Sequence, residues 1–341
     1  MKHFNTVRWG IIGVGDVTEV KSGPAFDKAT NSKLVAVMRR NAEKAADYAK
    51  RHHVPKWYSN GTELINNPEV DAVYIATPPD SHASYAIEAM RAGKPVYVEK
   101  PMARNYEECR EMIRVSEETG MPLFVAYYRR SLPAFLKVKE LIDNGEIGKV
   151  LSVNIILHKQ ALERNQLQEE MHWHVFPEVS GAGHFFDLAS HQFDFLDFAL
   201  GEIARVNGQA SNRAGLYPAE DTVSASFQFK SGVIGSGNWC FVVDKYQEKD
   251  SIDIYGEKGS ISTPCFSHGA VKFLSNQGIT NFEYQNPKHI SQNLVQQVVD
   301  DLSGKSKCVS TMHSAARTSF VLDEIVKDYY HSQGGSKSPG E

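Results

Sequence analysis

Two places in the sequence combine residue types that can move a proton at a carbon–oxygen bond. The first is Glu99-Lys100-Pro101. Oxidising an alcohol needs a group that takes the hydroxyl proton while hydride leaves the carbon. A histidine, or a lysine of lowered pKa, serves that role near neutral pH. Lys100 lies just after the apolar strand 96–98, with Glu99 between, and so falls at the carboxyl edge of a sheet, where open α/β folds bind ligands. Partial desolvation beside a cationic ring would lower its pKa, and Glu99 could orient it. The plain alternative is an exposed loop ion pair of little energetic value. The second place is Asp187 and His191, four residues apart and hence on one face of a helix. Asp187 is suited to holding a substrate hydroxyl and His191 to acting as general base; the plain alternative is a surface or core-edge histidine. Asp194, at the next turn, reads as solvent-facing rather than as a group orienting His191.

A hydride needs a carrier, and Gly13-Val14-Gly15 supplies a place for one. The strand 7–12 leads into this turn and a helix follows, beginning at Asp16 and Val17. The first glycine permits a tight turn, the second lets the backbone approach a pyrophosphate, and the helix start presents free N–H groups. The third fingerprint position is Thr18 rather than glycine or alanine, which predicts looser helix–strand packing. An acidic residue ending the second strand would select NAD through the ribose hydroxyls. Here Arg39-Arg40 stands instead, and two guanidinium groups suit a 2′-phosphate. The expected cofactor is therefore NADP, with NAD as the alternative and a solvated basic helix start as the plain reading.

A metal reading of His172, His174, His184 and His191 is disfavoured because no His/Cys spacing signature accompanies them. Trp173 offers an aromatic face to a nicotinamide or a sugar ring, or else is a core residue. The four cysteines are scattered without paired spacing and read as reduced thiols. With 37 basic and 41 acidic residues, net charge −4, there is no electrostatic footprint for nucleic acid. The start shows no signal-peptide core and no apolar run reaches the roughly 20 residues of a membrane span, so a cytoplasmic protein is expected.

The elements that must position these residues fall into two groups. Strand patterns at 7–12, 33–38, 71–76, 95–98 and 123–126 alternate with helical patterns at 41–52, 81–92 and 105–119, which implies a doubly wound parallel sheet. After about Tyr127 a helix at 133–143 precedes a strand at 150–157, an irregular stretch at 159–180 and a helix near 186–198. Alternating strands at 222–229 and 233–241, then 251–255 and 260–263, predict hairpins in an antiparallel sheet. Helices near 291–302 and 312–331 close the chain. The expected fold is α/β, a Rossmann domain (1–126) followed by an α+β substrate and oligomerisation domain (127–331) with a large, mostly antiparallel open-faced sheet. A disordered tail is expected at 332–341.

In this order the motifs resemble the Gfo/Idh/MocA family of oxidoreductases over nearly the whole chain, 7 to about 328. The pieces are Gly10-Ile11-Ile12-Gly13-Val14-Gly15, Ala76-Thr77-Pro78-Pro79 with His82, Glu99-Lys100-Pro101, Tyr128-Arg129-Arg130 with Pro133, and 181–191. The stretch 39–53 is similar to the NADP-using dihydrodiol dehydrogenases. The resemblance implies a cofactor lined by Gly13, Gly15, Asp16, Val17, Arg39, Arg40, Thr77, Pro78, Pro79, His82, Glu99 and Lys100. It implies a substrate held by Lys100, Arg129, Trp173, His174, Asp187 and His191, with Lys100, Asp187 and His191 catalytic. Ala182 replaces a customary middle glycine and His174 a frequent arginine, departures that bear on the substrate more than on the reaction class. The implied activity is hydride transfer between a nicotinamide cofactor and a secondary alcohol or ketone of a sugar, polyol or cyclic diol. The alternatives are redox-neutral glycoside hydrolysis with retained nicotinamide and a non-enzymatic dinucleotide sensor. The apolar face of the sheet 222–263 predicts a partner subunit as its cover, hence a homodimer or homotetramer.

Overall fold

The computed structural model describes residues 3–161 and 173–334. The chain divides into two compact units: residues up to Leu132 together with Asn286–Ala316, and Pro133–Gln285 together with the chain from Arg317 onward. The segment expected as one second domain, 127–331, is thus interrupted by a return into the first unit. The reason is visible in the helix Gln292–Leu302, whose Leu294, Val295, Val298, Val299 and Leu302 are buried in one cluster with Trp9, Phe26 and Tyr74.

The first unit is built on strands β1 (Val7–Ile12), β2 (Ser32–Met38), β3 (Lys56–Tyr58), β4 (Ala72–Ile75), β5 (Val96–Val98) and β6 (Leu123–Val125). They form one sheet of order β3-β2-β1-β4-β5-β6 with every pairing parallel. The order reverses between β1 and β4, which opens a crevice beyond their carboxyl ends. Apolar clusters cover both faces of the sheet, as its nearly unbroken hydrophobic strands require.

The second unit carries β7 (Val150–Gln160), β8 (Ile203–Ser211), β9 (Thr222–Phe229), β10 (Ile234–Val243), β11 (Lys249–Gly256), β12 (Gly259–Thr263), β13 (Val271–Ser275) and β14 (Gly278–Phe282). Their order is β14-β13-β12-β11-β7-β10-β9-β8. The hairpins β9–β10 and β11–β12 form as expected, but β7 lies between them and pairs with β10 in parallel. The helix His184–Leu200 covers the apolar face: Phe193 meets Phe227 at 5.3 Å, Phe185 meets Trp239 at 5.0 Å, and the Trp239 indole N–H donates to Gln192 Oε1 at 2.7 Å. This corrects the argument that the face awaits a second subunit. The other face presents Ser224, Ser226, Ser236 and Asn238, all exposed. Beyond the sheet, the helix Met312–Gly334 takes in three residues of the expected tail, and 335–341 lie outside the described residues.

Candidate active site

In the first unit, β1 runs into Gly13, which has φ +95°. A Cβ there would stand 2.7 Å from the backbone nitrogen of Thr77, so both conformation and the close approach of the loop after β4 demand glycine. At Gly15 the situation is reversed. A Cβ would meet nothing within 4 Å, so internal packing does not require glycine at this position. The following helix is short, Asp16–Val20, and Thr18 lies inside the turn rather than loosening it. Its hydroxyl donates to the Gly15 carbonyl at 2.8 Å and accepts the Gly15 N–H at 2.9 Å. Asp16 and Val17 are exposed at the start of this turn.

β2 ends at Met38, whose carbonyl accepts the N–H groups of Gly13 and Val14 and so ties the turn to the strand bearing Arg39 and Arg40. Arg39 is half-buried and Arg40 exposed. Among the described residues neither guanidinium is ion-paired with an acidic side chain. Asn41, next in sequence, caps the helix Ala42–Arg51 by accepting the Lys44 N–H.

Thr77, Pro78 and Pro79 form the loop beyond β4. His82 is buried behind them, one ring nitrogen 2.7 Å from the Thr77 carbonyl and the other 3.0 Å from that of Pro101. Burial lowers its pKa, and a neutral ring donates only one of these two bonds at a time. The imidazole thereby braces the β4 loop against the loop after β5.

Glu99 is 8% exposed, which removes the reading of an exposed loop ion pair. Its carboxylate accepts the Tyr74 hydroxyl at 2.5 Å and the Lys100 backbone N–H at 3.1 Å. Burial raises its pKa, opposed by the Tyr74 bond and the Lys100 charge. What Glu99 fixes is therefore the backbone from which the half-buried Lys100 projects. Tyr74 gave no separate signal in sequence, because within a buried strand it reads as core. Arg129, also in this unit, is buried and donates to the Tyr128 hydroxyl at 3.1 Å.

In the second unit, the helix His184–Leu200 places Asp187 and His191 on one face, with Asp187 half-buried and His191 3% exposed. Asp194 is 0% exposed, contrary to the solvent-facing expectation. No residue of the helix is exposed, although it carries several polar side chains, and it packs through Phe195 onto Phe135 of the helix Pro133–Asp143, at 4.8 Å, so no stripe is left for water. Its start is set by Gly183, where a Cβ would meet the Glu220 carbonyl oxygen at 2.8 Å. The Gly183 N–H donates to the Glu220 carboxylate at 2.9 Å, and the Tyr330 hydroxyl donates to its other oxygen. Glu220 is 0% exposed, and burial pushes its pKa up to about 7. Trp173 and His174 stack on each other at 3.7 Å, and His174 faces His184 at 6.4 Å. His172 lies outside the described residues. Among those described, no group of three or more His, Cys, Asp or Glu side chains is arranged to hold a metal ion.

The glycine turn, the proline loop and Glu99-Lys100 thus stand together at one edge of a dinucleotide-type sheet, and the Asp187/His191 pair on one helix. Residues 7–127 match the family described as oxidoreductases with an NAD-binding Rossmann fold, and 135–262 match the GFO/IDH/MocA C-terminal domain. The chain belongs to the Gfo/Idh/MocA family of oxidoreductases. This Gfo/Idh/MocA chain is 40% identical over 318 residues to oxidoreductase P35 of Formosa agariphila, covering 93% of the chain and 97% of that protein. It is 31% identical to the 1,5-anhydro-D-fructose reductase of Ensifer adhaerens, covering 74% of each. A levoglucosan dehydrogenase structure shares the fold with TM-score 0.83 at 22% identity, over 96% of this chain and 98% of that one. As a Gfo/Idh/MocA enzyme the protein is an NAD(P)-dependent dehydrogenase or reductase.

Proposed function

We propose that the enzyme transfers hydride between NADP(H), in preference to NAD(H), and a secondary alcohol or ketone of a sugar, polyol or cyclic diol. The observation that carries the substrate side is the Asp187/His191 pair sharing a face of the helix His184–Leu200. A carboxylate and an imidazole so placed can hold one hydroxyl and exchange the proton of another. The named activities of the relatives, on anhydro sugars, support the substrate class. Arg39 and Arg40, not ion-paired among the described residues, support the 2′-phosphate.

When bound, the nicotinamide supplies the hydride acceptor or donor at its C4. The turn at Gly13 and Gly15 would hold the pyrophosphate, and the 76–79 loop and Glu99 would line the dinucleotide. In the oxidative direction hydride would leave the carbinol carbon for the nicotinamide, and Lys100 Nζ or the His191 ring would accept the hydroxyl proton. Arg129, Trp173 and His174 would hold the remainder of the substrate.

The test is a screen of sugars, inositols and cyclic diols following NADPH absorbance, with parallel titration of both cofactors. NADP(H) should bind roughly tenfold or more tightly than NAD(H), a gap that Arg39→Ala/Arg40→Ala should close. Tighter binding of NAD(H) by the wild type would overturn the cofactor preference. Saturable turnover confined to compounds without a hydroxyl or carbonyl would overturn the reaction.

A further inference from the structure

We propose that Asp250 is a positioning residue for His191: it holds the loop that sets the Phe266 ring edge-on against the imidazole. The proposal rests on reading His191 as an acid/base group.

Asp250 stands on β11, opposite Leu157 of β7. Its carboxylate accepts the backbone N–H groups of Cys265 at 2.9 Å, Phe266 at 2.6 Å and Ser267 at 2.7 Å, and the Ser267 hydroxyl at 3.0 Å. Three consecutive N–H groups converging on one carboxylate fix the course of the segment immediately after β12 with charge-assisted bonds. Phe266, at the centre of that segment, cannot leave without breaking them. Its ring lies 6.0 Å from that of His191 at an interplanar angle of 68°, an edge-to-face arrangement. A side chain that exchanges protons needs its ring held within a narrow range of orientations, and packing by a fixed neighbour is how a fold supplies that. Asp250 therefore acts on the chemistry at second hand, through the backbone of Phe266, and touches no reacting atom.

The experiment combines steady-state kinetics with NMR of ring-labelled histidine in the full chain, the His191 resonances being assigned through His191→Asn. Phe266→Leu keeps apolar volume but removes the ring current. It should shift the His191 resonances and lower kcat/KM by about tenfold or more. Asp250→Asn, which loses acceptor capacity for converging donors, should shift the same resonances in the same direction, with kcat falling more than KM rises. A folded Asp250→Asn protein with wild-type His191 resonances and kinetics would overturn the proposal. If that variant does not fold, Phe266→Leu decides, and unchanged His191 resonances overturn it. Wild-type turnover by His191→Asn would instead overturn the acid/base reading, while the resonances of the other variants still report whether Asp250 sets Phe266 on that ring.

Discussion

At the scale of single residues, Glu99 and Lys100 divide their labour in a way that adjacency alone did not reveal. Glu99 is buried and spent on the Tyr74 hydroxyl and the Lys100 backbone N–H, so it fixes a backbone rather than filling an exposed ion pair. We expect Lys100→Ala to lower kcat by a factor on the order of 10² or more, with the cofactor dissociation constant nearly unchanged. Single-turnover kinetics beside cofactor titration would check this, and undiminished kcat would remove Lys100 from the mechanism. The motif itself was legible, since a charged pair straight after a buried strand is conspicuous. Tyr74, 25 positions before Glu99, was not, because its partner is brought to it only by the parallel pairing of β4 and β5.

At the scale of elements, the helix His184–Leu200 is placed by its ends and its faces. Gly183 admits the Glu220 backbone at a distance no Cβ would tolerate, and the Glu220 carboxylate, which also accepts the Tyr330 hydroxyl, accepts the N–H of Gly183, the residue that caps the helix. The Glu220 pKa, raised by burial from 4.5 to about 7, ties stability to pH. Below about 4.5 the carboxyl is protonated whether folded or unfolded. As pH rises towards 7 the unfolded chain releases the proton while the folded one keeps it, so stability is lost across that interval. The loss is on the order of 2–3 kcal/mol at neutral pH relative to pH 4.5. Thermal melts between pH 5 and 7.5 should show Glu220→Gln losing less Tm than wild type; parallel slopes would refute this. The helix was visible in sequence, but Asp194 was misjudged on it. A carboxylate on a helix with several other polar side chains reads as part of a solvated stripe, and only the burial of the helix on every side shows that no stripe exists.

At the scale of the whole molecule, the covering of the large sheet's apolar face by its own helix changes where a partner would dock. The remaining face is mixed: Ser224, Ser226, Ser236 and Asn238 are exposed on it, with Asn238 held 2.7 Å from the His158 ring, and so are Ile234, Tyr255, Leu274 and Ile279. We propose that copies associate through this face, which requires about 800 Å² per partner for a stable interface. Light scattering should give at least twice the mass of the chain, and Ser226→Arg should reduce it. A monomeric mass for the wild type would end the proposal. No helix among the described residues is long and apolar enough to cross a membrane.

The sequence by itself determined the parallel dinucleotide sheet, the glycine turn, the proline loop, Glu99-Lys100 and the Asp187/His191 spacing. Each of these is written in local residue order, as strand runs, punctuating glycines and helical offsets. Short β3 and β13 and the edge strands β8 and β14 escaped notice, since they are too brief or too exposed to show a period. Tertiary structure alone decided that β7 inserts between the two hairpins, that 286–316 returns to the first unit, and that Glu220, Tyr330 and Asp250 support the helix and loop around His191. Such contacts join residues 16 to 110 positions apart, and burial and convergence of that kind exist only once the chain has closed on itself.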